Sequence, residues 1–448
     1  MLDIMLELLQ TPAIILALIA FIGLSIQRKS IGEIVSGTLK TALGMLVLGA
    51  GSGLLVDEII PFVEMFSTVF NLSGFATSSE AIVGALQSSV PTIAKTSSII
   101  MALGFLMNIA LARFTPLKYI FLTGHMLWIS SVGVSYVLFA LGYSDTIIIV
   151  LGTIIQGMLT TMLPAISQPF IRELTGSNDF AIGHLTILGV SASAYIGKLL
   201  GNKEESAEDV ALPESLDFFK DTAVSVSFVM LIFYMGLVIA AGPEVVSEFA
   251  GDQNYLIFGL LKALGFSAGI LILLQGVRMF LGELIPAFKG ISDILVPGAI
   301  PALDVPAIFG FAPNSLMLGF VSSIIGMIIA MFVSSAVFGV TPLVSIIGAF
   351  FTGGVAGILG NSVGGRRGAT ISGLIYGFLL IFLSGALFYF VDFGAAGVVG
   401  VGHDTIDIMA LTFAFMNPII GFVIMIAGYI LLSYQEIKYQ KTVQSSDE

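Results

Sequence analysis

Five side chains have types and surroundings suited to recognising a hydroxylated small molecule: Glu80, His125, His184, Asp304 and Asn314. Asp304 sits in PALDVPAIF and Glu80 in TSSEAIV, each an acid close to apolar neighbours. An ionised carboxylate only accepts hydrogen bonds, so it suits the hydroxyl donors of a polyol. His125 in LTGHMLW and His184 in AIGHLTI each follow a glycine, which lets backbone or ligand approach closely. A neutral imidazole offers one donor and one acceptor, again matched to hydroxyl groups. Asn314 and Ser315, behind Pro313, either bond a ligand or end a turn. The structural alternatives are capping acids and histidines satisfied inside a core. His403, in VGHDTID, reads as a solvated loop residue. Three histidines this scattered lack metal-ligand spacing, and no Walker, dinucleotide or Ser/His/Asp pattern appears. The expectation is a binding site with no metal, no cofactor and no nucleic-acid partner.

These residues have to be positioned at membrane depth. Of 448 residues 57% are hydrophobic and 10% charged, against roughly 25% charged in a soluble domain. That composition leaves only an integral membrane protein. The predicted fold is all-α and polytopic, with eleven spans near 11–26, 34–56, 96–112, 117–141, 146–164, 222–242, 256–282, 315–338, 341–360, 369–391 and 408–433. Topology follows Lys and Arg rather than the net charge of −12. The positive-inside rule places the N-terminus outside and the C-terminus in the cytoplasm, because the segments 142–145, 243–255 and 392–407 hold no Lys or Arg. Asp3 and Glu7 stand where a cleavable signal would be basic.

Two apolar stretches, 66–95 and 290–314, are broken by Gly, Ser and Pro and read as re-entrant hairpins. A third, 178–200, is too interrupted for a simple span and reads as re-entrant or interfacial. The halves resemble each other: Gly51, Glu58, Ile60 and Pro61 recur as Gly276, Glu283, Ile285 and Pro286, each displaced by 225. An odd number of intervening spans makes the halves inverted, an architecture that places substrate between the hairpins and favours alternating access. Residues 1–221 form the first half, ending in the charged loop 201–221, and 222–433 the second; 434–448 is a polar cytoplasmic tail. Arg278 could pair with Glu283 or with an anionic substrate.

The segments KSIGEIVSGTLKTALGMLVLGAGSGLL, LTGHM, FAIGH, LGNKEESAEDVALP, LLQGVRMFLGELIPAFKGIS and VPGAIPALDVPAIFGFAPNS resemble the ascorbate-type EIIC permeases of the bacterial phosphotransferase system, from about residue 27 to 430. The resemblance implies a homodimer in the bacterial inner membrane, each protomer with a transport core, a V-shaped dimerisation domain and an elevator-like motion. It implies substrate contacts at His125, His184 and Asp304. It also implies phosphorylation by a separate EIIB, itself charged by EIIA, because this chain has no cysteine to carry the phosphoryl group. The ascorbate transporters of that family carry Gln where this chain has Ile129 and Leu185, so two amides are missing from the pocket. The expected substrate is L-ascorbate or a related sugar, sugar acid or polyol. An ion-coupled secondary transporter on the same inverted-repeat fold is the alternative.

Overall fold

A backbone in hydrocarbon has no water to bond, so apolar runs close their own N–H and C=O groups as helices. The computed structural model describes residues 12–69, 83, 86, 90–209, 222–294, 296–390 and 417–447. Helices α1 (Pro12–Ile26), α2 (Ile31–Val69) and α3 (Pro91–Phe114) are followed by strand β1 (Tyr119–Phe121), α4 (Gly124–Ala140) and α5 (Asp145–Thr175). Strand β2 (Ala181–Ile182) precedes α6 (Ile187–Leu200), α7 (Thr222–Ala250) and α8 (Tyr255–Ile294). Strand β3 (Ile300–Leu303) leads through the 3₁₀ turn Val305–Phe311 into α9 (Pro313–Phe338). A π turn at Ala349–Gly353 opens α10 (Gly354–Phe390), and α11 (Pro418–Asp447) ends the described chain. Among the described residues, eight helices are long and apolar enough to cross a membrane. This is a largely α-helical, multi-spanning membrane protein.

Helices α1, α2, α7 and α8 pack on one another, while α3 and α5 lie against β1, α5 also against β2, and α8 against β3. The long pair α2 and α8, of 39 and 40 residues, crosses at reciprocal glycine contacts. A Cβ on Gly51 would collide with the backbone nitrogen of Leu273 and meet the Gly269 carbonyl oxygen at 2.8 Å. A Cβ on Gly276 would collide with the backbone nitrogen of Leu48 and meet the Gly44 oxygen at 2.8 Å. Small residues let two backbones approach this closely inside a membrane. Ion pairs flank the crossing, Lys40 to Glu283 at 3.0 Å and Lys262 to Glu58 at 2.9 Å. Lys40, rather than Arg278, is therefore the partner of Glu283.

The structure corrects the all-α expectation in one place and refines it in three. Residues 119–121, 181–182 and 300–303 form a parallel sheet in the order β1-β3-β2, which two- to four-residue segments cannot announce by periodicity. The stretch 290–314 is the end of α8, then β3, then a 3₁₀ turn, buried along most of 300–309. Segment 178–200 becomes β2 and the 14-residue α6. The expected spans 341–360 and 369–391 join through α10, which breaks at Gly365 (φ 61°, ψ −162°). A side chain there would be strained and would collide with the Asn202 carbonyl oxygen. Most of the stretch 66–95, the loop beyond 209 and the first part of 408–433 lie outside the described residues.

Gly51→Ala and Gly276→Ala should each destabilise the detergent-solubilised protein by about 1–3 kcal/mol, because backbone must move to admit the methyl. Gly53→Ala, at a position with no neighbour within 4 Å, should leave thermal unfolding unchanged.

Candidate functional site

The three strands run parallel, with Phe121 beside Ala302 and Ala302 beside Ala181. All three therefore end at the same edge. Beyond β1 the chain reads Leu122-Thr123-Gly124-His125, beyond β2 Gly183-His184, and beyond β3 Asp304. The Leu122 N–H donates to the Ala302 carbonyl at 2.9 Å and the Gly183 N–H to the Leu303 carbonyl at 2.8 Å, which extends the register to the residues before the functional side chains. Residues 179 and 120 positions apart in sequence are thus delivered to one point. Ligands commonly gather at the carboxyl ends of parallel strands for this reason.

His125 Nε2 lies 3.8 Å from Asp304 Oδ2, and His184 Nε2 lies 4.0 Å from Asp304 Oδ1. The exposures are graded: His184 at 4%, Asp304 at 20% and His125 at 42%. The site is open on the His125 side and closed behind His184. Asp304 also caps the 3₁₀ turn, its Oδ1 accepting the Val305 N–H at 2.8 Å. The cap does not exhaust the carboxylate, which has lone pairs for further hydrogen bonds. His184 is oriented from behind by Thr186, whose hydroxyl lies 2.8 Å from Nδ1. Ile129 and Leu185 are both fully buried.

Sequence reasoning missed the residues that hold the strands. Asn108 on α3 accepts the Phe121 N–H at 3.0 Å and donates to the Tyr119 carbonyl at 3.1 Å and to Thr161 at 2.9 Å. It stands in for the absent neighbour strand of β1. On the other edge, Gln168 of α5 donates to the Phe180 carbonyl at 3.2 Å and Ser167 to the Ile182 carbonyl at 3.3 Å. The available signal was an amide inside each apolar run, MNIALARF and AISQPF.

Asn314 is placed differently from the histidines. Its side-chain amide donates to the Ala207 carbonyl at 3.2 Å, and its N–H goes to Glu208 at 3.1 Å. Glu208 also takes the Ser315 N–H at 2.8 Å and hydroxyl at 2.6 Å, so it caps the start of α9, where an anion is favoured. The described part of the 201–221 loop is therefore docked: Asn361 accepts the Ala207 N–H at 2.9 Å, and Arg366 bonds Glu205 at 2.8 Å. Hydrogen bonds from Arg366 and Asn202 hold the Glu205 carboxyl below its ordinary pKa. Glu80 and His403 lie outside the described residues.

Replacing Asn108 by Leu should cost at least about 2 kcal/mol in detergent unfolding experiments, since buried partners on β1 and Thr161 lose their bonds. Ser98→Ala, whose hydroxyl only returns to its own helix at the Ala94 carbonyl, should stay within about 0.5 kcal/mol.

The chain matches the family described as EIIC-GAT, PTS system sugar-specific permease component, over residues 7–407. It is also similar to the ascorbate-specific PTS system EIIC component of Mycoplasma pneumoniae (strain ATCC 29342 / M129 / Subtype 1), with 29% identity over 444 residues. That alignment covers 85% of this chain, which spans 65% of the relative's length. The chain therefore belongs to the EIIC-GAT family, whose members are described as PTS system sugar-specific permease components.

Proposed function

We propose that the chain imports L-ascorbate or a related sugar, sugar acid or polyol, and holds it at His125, His184 and Asp304 while a separate EIIB phosphorylates it. The observation that carries this reading is the convergence of those three groups at one sheet edge, within hydrogen-bonding reach of a single small molecule. One acceptor-only carboxylate and two imidazoles match a ligand made of hydroxyl groups. Fully buried Ile129 and Leu185 offer no hydrogen bonds, so this site discriminates by fewer polar contacts than two glutamines would supply. Glu80 and Asn314 belong to the proposed binding region, Asn314 through its place at the start of α9.

The inverted repeat is supported by the α2–α8 crossing, where Gly44, Leu48 and Gly51 make the contacts that Gly269, Leu273 and Gly276 return, each displaced by 225. Such a repeat fits elevator-type alternating access by a homodimer in the bacterial plasma membrane. The cytoplasmic C-terminus and external N-terminus rest on the placement of Lys and Arg. EIIB would meet the cytoplasmic face, where the docked 201–209 segment lies in this topology, and EIIA would act through EIIB.

An ion-coupled transporter is the second reading, favoured by Asp304, whose ion-pair partners are imidazoles that can exchange protons. Vesicle uptake separates the two. Group translocation requires phosphoenolpyruvate and the soluble components and yields a phosphorylated product; uptake of unmodified substrate without them, abolished by an uncoupler, would establish the second reading instead. Asp304→Asn and His125→Ala should each lower substrate affinity by about tenfold or more, the scale of a lost charged hydrogen bond. Wild-type affinity in both variants would remove these groups from the site.

A further inference from the structure

We propose that His125, His184 and Asp304 together bind a borderline transition-metal dication, zinc above all, with open coordination positions on the His125 side. One donor atom from each residue lies within 4.8 Å of the others. The two His–Asp separations are 3.8 and 4.0 Å. Around tetrahedral zinc, with bonds of about 2.0–2.1 Å, ligand atoms sit about 3.3 Å apart. The two His–Asp distances run to different carboxylate oxygens, so closure by about 0.5–1.5 Å, through side-chain rotation, brings one donor atom of each residue to bonding distance.

Three further features point to a cation. Two imidazoles and one carboxylate form a donor set that divalent transition metals prefer over Mg²⁺ and Ca²⁺. The Thr186 hydroxyl and backbone N–H both meet His184 Nδ1, at 2.8 and 3.3 Å, and so orient the ring with Nε2 toward Asp304. Asp304 has no Lys or Arg partner among the described residues, only the two imidazoles. A carboxylate so placed, at 20% exposure, gains from a dication held between it and the two imidazoles. The more exposed member, His125, leaves room on its side for water or a ligand oxygen on the metal, as in open zinc sites.

Metal and sugar would then compete for the same three groups, a consequence that rests on the proposed substrate site; the metal binding does not. The test uses the full chain purified in detergent and stripped with a chelator. Zinc titrated by calorimetry should bind at one ion per chain, and cobalt(II) should give visible bands of a four- or five-coordinate site. Mg²⁺ should bind at least about 100-fold more weakly. Asp304→Asn, His184→Gln and His125→Gln should each weaken zinc by about tenfold or more. Thermal melting without metal checks that the variants fold, and the exposed His125→Gln is the variant least able to disturb packing. Zinc bound far below one per chain, or equally well by the folded His125→Gln and Asp304→Asn proteins, would overturn the proposal. A chain that binds zinc but neither binds nor transports a sugar would retain this site and refute the sugar reading instead.

Discussion

Extended backbone inside a membrane protein must find a partner for every N–H and C=O, and the short sheet β1-β3-β2 meets that demand with borrowed side chains. A sheet of three strands has two open edges, each a row of unpaired groups. In water those edges would be solvated, whereas here they face helices α3 and α5. Asn108 closes one edge with a donor and an acceptor, and Gln168 with Ser167 closes the other. The central strand β3 needs no such help, because β1 and β2 flank it. Its last residue leads directly to Asp304, so the strand paired on both sides carries the acid of the cluster. The chemistry at the strand ends is inherited from this accounting of backbone bonds.

Around the sheet, helix packing depends on missing side chains. A Cβ on Gly319 of α9 would meet the Gly357 Cα at 2.7 Å, and one on Gly364 of α10 would meet the Gly197 oxygen of α6 at 2.6 Å. In hydrocarbon there is little hydrophobic drive between helices, so close van der Waals approach has to hold them. The break at Gly365 adds a second use of glycine: it turns α10 so that its backbone receives the segment 202–205. The Arg366 N–H donates to the Glu205 carbonyl at 2.7 Å at that point. A loop that composition marks only as charged is in this way part of the packed structure.

How much of this the sequence discloses depends on the range of the signal. Apolar runs of span length are local and strong, so α9 and the starts of α5 and α8 are legible to within a few residues, while α5 and α8 run on past the expected ends at 164 and 282 to Thr175 and Ile294. Chemical type was enough to single out His125, His184 and Asp304. Their meeting was not legible from spacing, which is why three scattered histidines argue against any cluster until strands 119–121, 181–182 and 300–303 are paired. Strands of two to four residues carry too few positions to show alternation, and IPAL contains a proline that argues against a ladder position. Asn314 shows a different limit of local reading. It sits beside a promising motif, yet its amide is engaged by Ala207, a partner 107 positions away that no local pattern connects to it.

The same logic explains why an ion pair is buried where it adds little net stability. Arg172 of α5 contacts both oxygens of Glu436 on α11, at 2.8 and 3.0 Å, with only 12% and 9% of the two side chains exposed. Desolvating two charges offsets most of their attraction, so such a pair contributes mainly by forbidding alternatives: either partner alone would be a buried charge. The Tyr119 hydroxyl donates to Glu436 at 3.1 Å, and Arg172 also bonds Asn178 at 2.8 Å, just ahead of β2. Tyr119 is the first residue of β1. One pair on the terminal helix therefore fixes the roots of both outer strands, and with them the positions from which His125 and His184 project. Helix α11 also packs Tyr429 and Leu432 against Tyr119, Ala181, Ile300 and Ala302, and the Tyr429 hydroxyl shares a 2.8 Å hydrogen bond with Thr115. These contacts act at the opposite end of the strands from the residues they orient, so helix α11 shapes the site without reaching it.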